Sequence, residues 1–236
     1  MKKMLPFLLC LISFKYLGGQ ELSAKQLLEK AINYHDPKGE WRQFKAHFFV
    51  SSESHKRSLR KSKIELDFLN SYFNLEVEQD GNTLTSILDK GDCILKLNGQ
   101  EKISEADQNN YRLNCDRAVF YKNYYTYLYG LPMKLKDPGT LLDPEVRKKN
   151  IDGKEYWVLK VSYEKNVGGD TWYFFFDQKT YALKQYQFYH DESKNDGEYI
   201  LLEDELIVEG IKMPKNRSWY YNSNDQFLGV DRLSIN

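Results

Sequence analysis

His35 and Asp36 stand side by side behind an apolar-striped segment. A histidine next to a carboxylate can bind a metal or shuttle protons. Asp36, Pro37 and Gly39 also form a stop signal for a helix, with His35 packed or hydrogen-bonded at its exit. Glu203 and Glu205 are two residues apart, on one face of an expected strand. Paired carboxylates can perform acid–base work on a sugar, but neighbouring acids are also common on exposed strand faces. The segment 191–197 is similar to a calcium loop, yet its glycine comes one place late and position 202 is Leu where a bidentate Glu belongs. A solvated hairpin loop fits it better. Cys93 and Cys115 are too few for a zinc site. They either pair as a disulfide or pack as free thiols. No G-x-S-x-G, H-E-x-x-H, Walker loop or dinucleotide fingerprint occurs. No catalytic residue, metal ligand or cofactor is therefore assigned, and the chain is read as non-catalytic.

The elements that position these residues begin after an export signal. Lys2 and Lys3 precede an apolar run over 4–14, which Gly18, Gly19 and then polar Gln20 follow. This is the order of a signal peptide, expected over 1–19. The run is too short to cross the hydrocarbon core of about 30 Å. Cys10 follows Leu8 and Leu9, inside the run, where lipidation is not expected. Residues 20–236 then form a single domain in the periplasm or outside the cell. Cleavage removes Lys2, Lys3 and Lys15 and no acid, so 34 basic residues fall by three against 34 acidic ones. That mildly acidic balance argues against a nucleic-acid partner.

An N-terminal helix is marked by Ser23 and Gln26 as a capping box, with Leu27, Leu28, Ala31 and Ile32 as its stripe. Alternation then takes over at Phe44, Ala46, Phe48 and Val50. A polar break over 51–57 reads as a turn or hairpin end. Further strands are expected at 64–68, 73–77, 83–88 and 93–97. Phe120, Tyr124, Leu128 and Leu131 recur at helical spacing, and Gly130 and Pro132 end that helix. Asp143-Pro144 reads as an N-cap with a first-turn proline, so a helical turn is expected there. Strands resume at 157–163, 171–176, 181–190, 199–208, 211–221 and 227–235. The run 171–176 is apolar at nearly every position and should be covered on both faces. The result is a mainly β (α+β) domain built on one large, strongly curved antiparallel sheet. Aromatic residues make up 15% of the chain, which suits a filled core or a lined concavity.

Three stretches carry a family resemblance. They are Tyr34-His35-Asp36-Pro37-Lys38-Gly39-Glu40-Trp41, then Tyr127-Leu128-Tyr129-Gly130-Leu131-Pro132, then the stretch from Trp172 to Asp177 that continues to Gly210-Ile211-Lys212-Met213-Pro214. Together they resemble a family of exported proteins from Bacteroidetes that is similar to the LolA/LppX-like group of lipoprotein and lipid carriers. The resemblance implies a half-open β-barrel with central plug helices. It supplies no catalytic residue. It implies an apolar ligand, such as a lipid, acyl chain or lipoprotein, and membrane-associated partner proteins. Trp157, Leu159, Val161 and Tyr163 from one strand face, with Tyr124 and Leu128 from the lid helix, are the expected ligand-lining residues. An envelope scaffold without a cavity and an envelope glycan or lipid hydrolase are the alternatives.

Overall fold

A computed structural model describes residues 22–55 and 57–235; the expected signal peptide lies outside the described residues. Twelve antiparallel strands form one sheet in the order β5-β4-β3-β2-β1-β12-β11-β10-β9-β8-β7-β6. They are β1 (Lys45–Ser54), β2 (Arg57–Asp67), β3 (Tyr72–Gln79), β4 (Asn82–Asp89), β5 (Asp92–Leu97), β6 (Thr140–Ile151), β7 (Lys154–Tyr163), β8 (Thr171–Asp177), β9 (Leu183–Tyr189), β10 (Glu198–Val208), β11 (Ile211–Tyr221) and β12 (Phe227–Ser234). Two meanders meet where β1 pairs with β12, with Val50 opposite Leu233. Strands β5 and β6 are the two free edges, so the sheet does not close.

A flat sheet of this strand number would be about 50 Å wide at the usual strand spacing. Yet Phe48, Phe73, Phe174, Ile200 and Leu233, from strands across the sheet, share one core cluster. Bringing them together requires strong curvature, and the concave side is the core.

Among the described residues, three α-helices accompany the sheet: α1 (Ala24–His35), α2 (Glu105–Tyr111) and α3 (Cys115–Gly130). In α1 both halves of the Ser23/Gln26 capping box are formed, and Leu27, Leu28 and Ala31 are buried. Helices α2 and α3 form the connection between the two edge strands. The chain must cross the open side of the curved sheet to make that link, and α3 does so through the core. Its Ala118, Tyr125, Leu128 and Tyr129 are buried. The first turn of α3 is tied to edge strand β5 by the Cys93–Cys115 disulfide, with Cα atoms 6.0 Å apart.

One expectation is corrected. Asp143-Pro144 starts no helical turn; both residues lie within β6. The strand pairing shifts between Leu142 and Val146. A proline has no N–H for a ladder, and an edge strand with a bulge is where a sheet accepts one. The polar segment 51–57 is the end of the long β1–β2 hairpin, with β1 running to Ser54 and β2 starting at Arg57. The run 171–176 is covered on both faces at its C-terminal end. Phe174 and Phe176 enter the core cluster. Phe175, outside that cluster, is 1% exposed, pairs with Val158 and lies beneath the Lys149 ammonium.

Candidate ligand-binding cleft

Neighbouring strands of an antiparallel sheet alternate in direction. The C-terminal ends of β1, β3 and β11 therefore share one end of the sheet with the N-terminal ends of β2, β10 and β12. At that end the concave face opens into a cleft of about 810 Å³. Its walls include Ser52 and Ser54 from β1, Arg60 from β2, Glu198 from β10, Trp219 from β11 and Asp231 from β12. The N-terminal half of α3 forms the remaining wall with Arg117, Phe120, Tyr121 and Tyr124. This volume lies in the range of small-molecule sites.

The polar segment 51–57 is explained here. Serines at 52, 54 and 58 line the cleft, so hydrophobic alternation stops where the strands leave the filled core. This loss of alternation at the end of two long strands is the sequence signal of the site.

Two cations meet at one aromatic ring. The Arg60 guanidinium lies 4.7 Å from the centroid of Tyr121, and that of Arg117 lies 4.6 Å from it. Arg60 donates from Nη1 to the Tyr125 hydroxyl at 3.1 Å, and Arg117 donates from Nη2 to the Tyr121 hydroxyl at 3.1 Å. Tyr125 in turn donates to Ser62 Oγ at 3.1 Å. Burial raises the Tyr124 phenol well above its ordinary pKa, so it stays neutral at neutral pH. On the opposite wall the Trp219 indole N–H donates to Asp231 at 3.2 Å. Glu53 is paired with Arg232 at 2.8 Å. Burial raises the Glu198 carboxyl above its ordinary value.

Of the six residues expected to line a ligand, only Tyr124 borders this cleft. Leu159 and Val161 are completely buried and Leu128 is nearly so, all in the filled core beneath α3. Trp157 packs at the edge of that core with the Lys148 ammonium over its ring. Tyr163 shares a 2.6 Å hydrogen bond with the Tyr127 hydroxyl. The expected strand face points inward into the filled core, where α1 packs against β6 and β7 and α3 reaches β7 through the Tyr127–Tyr163 bond.

The other sequence candidates are occupied by structural bonds. His35 Nδ1–H donates to the Lys212 carbonyl at 2.6 Å, and Nε2 accepts the Leu183 N–H at 3.0 Å. Asp36 accepts the backbone N–H groups of Glu40 and Trp41, at 2.8 and 3.0 Å, and so caps the 3-10 turn Glu40–Gln43. Glu205 accepts the Tyr34 hydroxyl at 2.8 Å, while Glu203 is exposed. In the loop 191–197, Asp196 accepts the N–H groups of His190 and Asp191, both at 2.9 Å. No group of three or more potential metal ligands occurs among the described residues.

A family model matches residues 2–236, nearly the entire sequence. The chain belongs to DUF6503, a family of unknown function. No curated protein matches it. This DUF6503 chain superimposes on the crystal structure of a LolA superfamily protein from Nitrosomonas europaea with a TM-score of 0.52 and 13% identity, covering 90% of this chain and 91% of that one. An outer membrane lipoprotein-sorting protein domain from Vibrio parahaemolyticus gives a TM-score of 0.49 at 13% identity, over 90% of this chain and 93% of that one. The fold of this DUF6503 member is thus LolA-like: an open, curved antiparallel sheet around a core helix. No helix among the described residues is long and apolar enough to cross a membrane.

Proposed function

We propose that this DUF6503 protein is an exported carrier that holds a lipid, an acyl chain or the lipid part of a lipoprotein in the periplasm. The observation that carries this reading is the cleft of about 810 Å³ at the open end of the curved sheet, with Phe120, Tyr121, Tyr124 and Trp219 among its walls. Phe120 is 49% exposed and forms an aromatic cluster with Tyr121 and Tyr124 at the cleft. A ligand chain laid on these rings gains roughly 0.8 kcal/mol for each methylene taken from water. No covalent step is needed. The carrier group whose sequences the chain resembles, and the LolA-like fold, support the same reading.

The test is a lipid extract of the protein purified from periplasm, read by mass spectrometry, with a fluorescence titration of the delipidated protein. Trp219 is the reporter in the cleft. Lipid in near-stoichiometric amount, and a Trp219-dependent signal on adding a fatty acid or short-chain phospholipid, are expected. Protein that carries no lipid and gives no signal with either class would overturn the reading.

A further inference from the structure

The charges of the cleft are sorted across serine-lined β1, with Arg60 of β2 and Arg117 of α3 apart from the carboxylates of β10 and β12, and the arrangement names a headgroup. Arg60 and Arg117 converge on Tyr121. Neither forms an ion pair with a carboxylate among the described residues; the arginines that do are Arg147, with Glu145, and Arg232, with Glu53. A guanidinium has five N–H donors, so both side chains keep donors after their single tyrosine bonds. Two cations held by neutral rings and hydroxyls leave a local excess of positive charge. A phosphate is the group that two arginine forks recognise best. Arg112, at the end of α2, borders the same cleft.

Beyond β1, the β12–β10 side of the cleft has the opposite sign. Glu198 and Asp231 border the cleft there, and neither is ion-paired among the described residues. Asp231 accepts the indole N–H of Trp219 and stands opposite the buried Arg217 in the β11–β12 ladder. A ligand with a lone negative charge would have these carboxylates across from it. A non-ionic ligand would leave Arg60 and Arg117 without an anionic partner. A zwitterion answers both, and Trp219 and Tyr221 add aromatic faces that attract an ammonium.

We propose that the cleft takes a zwitterionic amphiphile, with the phosphate on Arg60 and Arg117 and the ammonium toward Glu198 and Asp231. This rests on the carrier reading above and specifies its ligand class. The phosphoethanolamine headgroup has this chemistry, whether it belongs to a lipid or is free.

Calorimetric titration with four probes tests it: dihexanoyl phosphatidylethanolamine, dihexanoyl phosphatidylglycerol, octyl glucoside, and free O-phosphoethanolamine, the lipids below their micellar concentrations. The phosphatidylethanolamine binds about tenfold more tightly than the phosphatidylglycerol, as expected for one added charge-assisted contact. Arg117→Gln weakens both phospholipids about tenfold and leaves octyl glucoside unchanged. Glu198→Gln erases the preference for ethanolamine over glycerol. Arg117 and Glu198 are both partly exposed, and Tyr125 is bonded to Arg60 instead, so neither substitution breaks a core contact. Equal or tighter binding of phosphatidylglycerol to the native protein overturns the zwitterion assignment. Octyl glucoside binding as well as both phospholipids overturns any headgroup role while the carrier reading stands. Free O-phosphoethanolamine binding as tightly as the lipid overturns the amphiphile. Failure of every probe counts against the carrier reading itself.

Discussion

The imidazole of His35 accepts the backbone N–H of Leu183 at 3.0 Å, across 148 positions of sequence. Strand β9 pairs with β10 only from Gln185 to Phe188, so the N–H of Leu183 lies beyond that ladder. His35 fills this position from the end of α1 and reaches the Lys212 carbonyl on β11 with its other nitrogen. The pair of bonds requires a neutral ring with its proton on Nδ1. Burial lowers the His35 pKa from 6.5 to about 4. The unfolded chain therefore binds this proton more readily than the folded one. Stability is full above pH 6.5 and is lost as pH falls through this window, by roughly 3 kcal/mol in all. Urea unfolding at several pH values between 7 and 4 should show this decline in the native protein. His35→Gln should be less stable at pH 7 and should lack most of the slope. A slope unchanged in that variant would place the titration elsewhere.

The Cys93–Cys115 bond closes a loop with a sequence separation of 22 residues and anchors the cleft-forming half of α3 to edge strand β5. Loop-closure entropy for such a cross-link corresponds to about 3 kcal/mol. Cys93→Ser with Cys115→Ser should lower stability by that order. The effect should be concentrated near the anchor, with faster hydrogen exchange in the first turns of α3 than in Leu128 and Tyr129, which stay packed. Uniform exchange along the helix would show that the bond acts on global stability alone.

Gly130, the last residue of α3, lies against the indole of Trp41, where an added Cβ would overlap the ring. Trp41 also packs edge-on against Phe68, with ring centroids 5.0 Å apart, so the ring has a neighbour behind it. Gly130→Ala should therefore destabilise by about 1–3 kcal/mol, as overpacked cores do, although alanine is the better helix former. Thermal or urea denaturation reads the loss directly. Adding Trp41→Phe to Gly130→Ala should cost less than the two single losses combined, because the smaller ring leaves room for the methyl.

Much of the architecture was legible because most strands bury one face. The alternation at Trp157, Leu159, Val161 and Tyr163 marks β7, and the Ser23/Gln26 box marks the start of α1. What escaped has physical causes. Helix α2 has no buried residue and hence no apolar stripe; only Ser104 as N-cap signals it. Asp143-Pro144 has the chemistry of a helix start, and only its place on a free edge makes it a strand bulge. The cleft was least legible, because periodicity reports which face points inward and not whether a helix or open space lies opposite. Arg60 and Arg117, on different elements, have nothing in sequence to join them; Tyr121 does so in space.

That distinction between inward and ligand-facing can be measured with Leu159 and Trp219. Leu159 is completely buried between β6 and β8, opposite Val146 and Phe174, in the filled core. Trp219 is only partly buried and borders the cleft. Leu159→Ala removes packed methyl groups and should cost about 2–5 kcal/mol of stability. The protein that remains folded should bind an amphiphile with unchanged affinity. Trp219→Ala should have the reverse balance: a smaller stability loss, and binding weakened about tenfold or more through loss of the aromatic wall. Denaturation curves and calorimetric titration of the two variants separate the effects. If Leu159→Ala weakened binding more than Trp219→Ala at equal folded fraction, the ligand would have to enter between α3 and the sheet. The lid helix would then have to leave its place in the core, and the open-end cleft would be only its entrance.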